Sequence, residues 1–75
     1  MKKGIYQHFK GGIVEVLDVA HHSETLEDMV IYRALYECRD FGKGSLWVRP
    51  KKMFMKEVKV DGKKMPRFKY IGEEE

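Results

Sequence analysis

The run Ser45-Leu46-Trp47-Val48-Arg49-Pro50-Lys51-Lys52-Met53-Phe54-Met55-Lys56-Glu57-Val58 holds the only Trp and one of the two prolines, and it opens the most basic region of the chain. Residues 46–49 read as a short strand, which Pro50 ends because its nitrogen has no hydrogen to give to a ladder. Proline suits the first position of a helical turn, and Pro50, Phe54 and Val58 recur at a spacing of four with Met53 beside them. Residues 51–55 are therefore expected to form one short helix or 3₁₀ turn that carries Phe54 inward. Strand alternation puts Trp47 and Arg49 on one face and Leu46 and Val48 on the other. If Leu46 and Val48 fill the core, Trp47 and Arg49 face outward or line a groove. If Trp47 is the core residue, Leu46 faces out, and the large area of an indole favours its burial in a small fold.

Toward the C-terminus, Glu57-Val58-Lys59-Val60, then Asp61-Gly62, then residues 65–71 give the clearest hairpin signal, since Asp-Gly favours the turn whose twist matches the flanking strands. Pro66 places the last strand at an edge. Toward the N-terminus, residues 37–44 form a loop closed by Gly42 and Gly44. Residues 29–36 read as a strand with Val30, Tyr32, Ala34 and Tyr36 on one face. Residues 13–20 are dense in β-branched side chains and make the strongest strand, joined to the preceding one by the polar residues 21–28. In the entry segment the Gly11-Gly12 pair supplies a tight turn after Tyr6, His8 and Lys10, which share one side if the segment is extended.

Five or six short strands with one helical turn before the last hairpin predict an all-β fold, a small SH3-like antiparallel barrel, with an open β-roll as the alternative. With 75 residues the chain is expected to form a single domain over 1–75, whose acidic tail, 72–75, frays. Apolar residues at 43% and charged residues at 36% exclude a disordered composition. The single Cys38 excludes an intramolecular disulfide and a Cys-rich zinc site, and no apolar stretch approaches the ~18 residues of a membrane span. A cytoplasmic protein without a membrane partner is expected.

Charge is unevenly placed. Residues 49–69 carry nine basic residues against Glu57 and Asp61, whereas residues 1–48 sum to −1 and the tail Glu73-Glu74-Glu75 supplies −3. Such polarisation attracts anions or nucleic acid, or solvates strand edges against aggregation.

His21, His22, Glu24 and His8 are the potential metal ligands, but adjacent histidines on a strand point to opposite faces, so no metal site and no cofactor is expected. His22-Ser23-Glu24 and Cys38 supply nucleophile and base types without the geometry of a triad, and no catalytic residue is assigned. The pattern that remains is aromatic and basic: Tyr6, His8, Lys10, Tyr32, Tyr36, Trp47, Arg49, Arg67 and Phe68. Barrels of this kind bind peptides or single strands through exposed aromatic residues.

Tyr6-x-His8-Phe9-Lys10-Gly11, His22-Ser23-Glu24-Thr25, Tyr32-Arg33-Ala34-Leu35-Tyr36, Trp47-Val48-Arg49-Pro50 followed by Phe54, and Arg67-Phe68 together resemble the short bacterial proteins of domain-of-unknown-function family 1653, over roughly residues 6–70. The resemblance implies a cytoplasmic bacterial protein and no assigned site. The expected function is a non-enzymatic binding module for nucleic acid through Trp47, Arg49, Tyr32, Arg67, Tyr6, His8 and Lys10. The alternatives are a protein-interaction or self-association module, and a small-molecule binder or enzyme built on the His8, His22 and Glu24 region.

Overall fold

The β-branched run at 13–20 and the strand read at 29–36 become the centre of a five-stranded sheet in the computed structural model, which describes residues 1–37 and 40–72. The strands are β1 (Gly4–His8), β2 (Ile13–His21), β3 (Asp28–Ala34), β4 (Leu46–Pro50), β5 (Glu57–Val60), β6 (Lys63–Pro66) and β7 (Phe68–Gly72), with one helical turn, α1 (Lys51–Phe54). All pairings are antiparallel, and the large sheet runs β4-β3-β2-β1-β7, while β5 and β6 form a separate hairpin. The fold is all-β as expected, but it has seven strands rather than five or six. The difference arises at Arg67.

The expected last strand, residues 65–71, divides there into two that serve different sheets. Arg67 N–H donates to the Lys56 carbonyl and the Arg67 carbonyl accepts from Phe9 N–H, so this one residue ties the hairpin to the sheet. Pro66 has no N–H with which to continue a ladder across the junction. At the hairpin tip, Asp61 and Gly62 both have positive φ, at 50° and 79°, as an Asp-Gly turn of matching twist requires.

Val14, Val16, Val30, Tyr32, Ala34, Tyr6 and Phe68 are buried on one face of the sheet. The register keeps them together, pairing Tyr6 with Val14, Val14 with Ala34, and Val16 with Tyr32. Leu17 is an extra residue on β2 between Val16 and Asp18, and a second register shift falls beside Ile5 in the β1–β7 pairing. Bulges of this kind bend a strand and sharpen its twist. The sheet curls so far that Phe68 of β7 lies 6.1 Å, between ring centroids, from Tyr32 of β3.

Among the described residues β4 and β7 do not pair, so the curled sheet is not closed by hydrogen bonds as a barrel would be. Side chains fill the gap instead. Phe54, 0% exposed, stacks on Phe68 at 4.1 Å and 2°, and meets Tyr6 edge-on at 5.5 Å and Tyr32 at 5.7 Å. The expectation that the turn after Pro50 sends Phe54 inward holds, with the helix ending at Phe54 rather than residue 55. The strand expected at 29–36 ends at Ala34, which leaves Tyr36 exposed rather than on the Val30 face. Cys38 and the tail residues 73–75 lie outside the described residues, and no helix among those described is long and apolar enough to cross a membrane.

Candidate functional site

β4 settles the direction of Trp47. Trp47 pairs with Tyr32 and Arg49 pairs with Val30, so both lie on the face of the sheet that carries the core. Leu46 and Val48, each 61% exposed, point away from it. The reading in which Leu46 and Val48 fill the core is therefore corrected. Trp47 is nonetheless not sealed inside: β4 is the last strand, and 36% of the residue remains exposed at the rim. Its indole N–H donates to Ser45 Oγ at 2.8 Å, and Phe41 meets the ring edge-on at 5.2 Å.

Curling of the sheet brings Arg49 across the gap to β7, with its guanidinium carbon 5.6 Å from the Phe68 ring centre. His8, on the last position of β1, meets the same ring edge-on at 4.9 Å. Arg67 precedes Phe68 in the chain. Its Nε is shielded from solvent and has no hydrogen-bond partner among the described residues, an arrangement that costs on the order of 1–3 kcal/mol. The Lys10 N–H donates to His8 Nδ1 at 3.1 Å. With Nδ1 occupied as an acceptor, neutral His8 carries its proton on Nε2 and offers it as a donor.

The His8 imidazole is held below its ordinary pKa, first by burial and then by the charges of Arg49, Arg67 and Lys10. Three cations therefore act on one imidazole, with Arg49 over the Phe68 ring and the Lys10 ammonium group 5.7 Å from the Phe9 ring centre. The ion pairs among the described residues join Lys3 to Asp18, His21 to Asp28, Arg33 to Glu15 and Lys52 to Glu27, and none of them uses Arg49, Arg67 or Lys10. A cavity of 200 Å³ has His8, Phe9, Met65 and Lys69 in its wall, and His8 is the residue through which it adjoins the cluster. Such an arrangement offers donors, positive charge and aromatic surface.

The model of a family described as proteins of unknown function, DUF1653, matches residues 4–70 of the chain. The chain belongs to the DUF1653 family. A solved structure supports the fold: the crystal structure of a DUF1653 protein from Bordetella bronchiseptica superposes with a TM-score of 0.87 at 28% identity, covering 100% of this chain and 92% of that one. No curated protein matches the chain.

In this DUF1653 chain the predicted site residues separate into two groups. Arg49, Arg67, His8 and Lys10 converge, with Trp47 farther along the same face of β4. Tyr6 and Tyr32, 5% and 6% exposed, are core residues beneath them and present little surface. The Tyr6 hydroxyl donates to the Lys2 carbonyl at 2.6 Å, and burial, together with Tyr70, raises its pKa. His22 does not join His8: His8 ends β1 beside the Gly11 turn, whereas His22 follows β2 at the opposite end of the sheet, where its Nδ1 accepts from Glu24 N–H and Thr25 N–H. No group of three or more potential metal ligands gathers among the described residues. Sequence reasoning passed over Phe41 as the neighbour of Trp47, although an aromatic residue beside Gly42 and Gly44 in a polar loop was the available signal.

Proposed function

We propose that this chain is a binding module for single-stranded nucleic acid, with the rim of the curled sheet as its surface. The observation that supports this reading best is the gathering of Arg49, Arg67 and Lys10 around His8, with Arg49 over the Phe68 ring and Lys10 over the Phe9 ring, and with none of the three in an ion pair among the described residues. Phosphate contacts dominate the affinity of such proteins, and exposed aromatic rings hold successive bases by stacking whatever their sequence. Trp47, on the same face of β4 as Arg49, is the stacking platform. The curled sheet, its gap filled by Phe54 and Phe68, is read here as an opened SH3-like barrel. The protein acts in a bacterial cytoplasm.

Fluorescence anisotropy of mixed-sequence single-stranded DNA and RNA, titrated from low to high salt, tests the proposal. Binding at low salt that weakens steadily as salt rises is expected. Binding that is undetectable at low salt, or indifferent to salt, sinks it. A second reading, self-association, has one observation of its own, the exposure of Leu46 and Val48 on the unpaired edge strand. Sedimentation across a wide concentration range distinguishes the two, since a concentration-dependent dimer abolished by Val48→Lys supports self-association.

A further inference from the structure

The cluster around His8 is rich in donors. Arg49 and Arg67 carry guanidinium forks, Lys10 an ammonium group, and His8 an Nε2–H left free by the Lys10 backbone contact to Nδ1. The one acceptor among them, His8 Nδ1, is already taken by Lys10 N–H, so the cluster offers a ligand only donors. We propose that Arg49, Arg67, Lys10 and His8 form a site for the terminal phosphate of a nucleic acid strand, with the attached sugar and base against the cleft walled by Phe9 and Met65. This rests on the rim reading above and names the part of the strand that the cluster takes.

Charge and valence decide for a strand end over an internal linkage. An internal phosphodiester carries one negative charge and two free oxygens. A terminal phosphate carries about −1.5 to −2 at neutral pH and three strong acceptor oxygens. Three cations acting on the His8 imidazole, with Arg49 over the Phe68 ring and Lys10 over the Phe9 ring, match the second in both respects. The unpartnered Nε of Arg67 points the same way, because a guanidinium that turns its Nε–Nη edge to an anion satisfies that donor and makes a two-pronged contact. The cleft beside His8 adds an apolar wall, which a bare inorganic ion does not need and a nucleoside does.

The test uses the intact chain and one short deoxythymidine strand in three forms: with a 5′-phosphate, with a 3′-phosphate, and with neither. One phosphorylated form is expected to bind about tenfold tighter than the unphosphorylated strand, the factor that 1.4 kcal/mol produces. Arg67→Lys keeps the charge and loses the planar fork, so in this variant the phosphorylated strand is expected to bind no tighter than the unphosphorylated one. Arg49→Gln, checked for folding by circular dichroism, is expected to lose the gain as well. Equal affinity for all three strands overturns this inference and leaves the rim reading standing. Absence of low-salt binding by the unphosphorylated strand overturns the rim reading, whichever way the phosphorylated strands behave. A phosphoserine peptide that displaces the phosphorylated strand at equal concentration overturns the assignment of the site to a nucleic acid end.

Discussion

Trp47 belongs by register to the core face, yet it keeps 36% of its surface exposed because no strand lies beyond β4 to cover it. Its orientation is fixed all the same, by the indole contact to Ser45 Oγ and the edge of Phe41. A pinned, half-open indole suits stacking, and Trp47→Ala is expected to weaken single-strand binding by about 1–3 kcal/mol. The anisotropy titration used for wild type measures this. An affinity change under threefold would remove Trp47 from the interface. His8 sets a second residue-scale expectation, since burial and the charges of Arg49, Arg67 and Lys10 depress its pKa. The folded value lies below the unfolded one, so as pH falls the unfolded chain takes up the proton first. The stability contribution is therefore complete above the ordinary value of about 6.5 and is lost as pH drops through it toward the folded value. Urea midpoints are expected to fall between neutral and mildly acidic pH, and to fall less in His8→Gln. Equal losses in the two proteins would show that His8 is not the group responsible.

At the scale of elements, α1 is short but decisive, because its one buried residue fills the space between the two edges of the sheet. Phe54 touches Tyr6, Tyr32 and Phe68, which come from β1, β3 and β7. Removing its ring is expected to cost about 3–5 kcal/mol, a typical loss for Phe→Ala in a core. A chain of this size has a total stability of roughly 4–11 kcal/mol, so Phe54→Ala should leave it close to unfolding, as read by urea titration under circular dichroism. A loss under about 1 kcal/mol would mean that the ring cluster is not the keystone described. How much of this was legible follows from the same elements. β2 was visible from its density of β-branched residues, β3 from an alternation whose Val30, Tyr32 and Ala34 side is buried, and the Asp61-Gly62 turn because its backbone demands those residue types. The break at Arg67 was hidden, since residues 65–71 read as one extended run and the switch of sheets depends on hydrogen bonds to Lys56 and Phe9, distant in sequence. The direction of β4 was hidden for a different reason. Leu46 and Val48 are the more apolar pair, and only the curl of the sheet shows that their side is the exposed one. The aromatic and basic residues were named from the sequence, but not which of them converge: bulges at Leu17 and beside Ile5 bend the strands that carry Arg49 to Phe68 and leave Tyr6 and Tyr32 underneath.

Besides the cluster around His8, positive charge gathers on the hairpin that leaves the sheet at Arg67. In the hairpin Lys59 lies directly opposite Lys64, all four residues of β6 are exposed, and neither lysine is in an ion pair among the described residues. Like charges opposite one another weaken a two-stranded ladder. Such a pair is tolerable where a polyanion neutralises it, or where lysines merely keep an edge from pairing with other chains. The dependence of strand affinity on salt separates these cases. Each neutralised phosphate on a single strand contributes about −0.7 to the slope of log K against log salt concentration, so an unphosphorylated strand with one internal phosphate on each of Arg49, Arg67 and Lys10 gives a slope near −2. Participation by Lys59 and Lys64 makes it about −3.5, and the double variant Lys59→Gln, Lys64→Gln is then expected to return it to about −2 with a uniform loss of affinity across strand sequences. A slope unchanged in the double variant, accompanied by self-association, would instead make the hairpin lysines guards of an exposed edge.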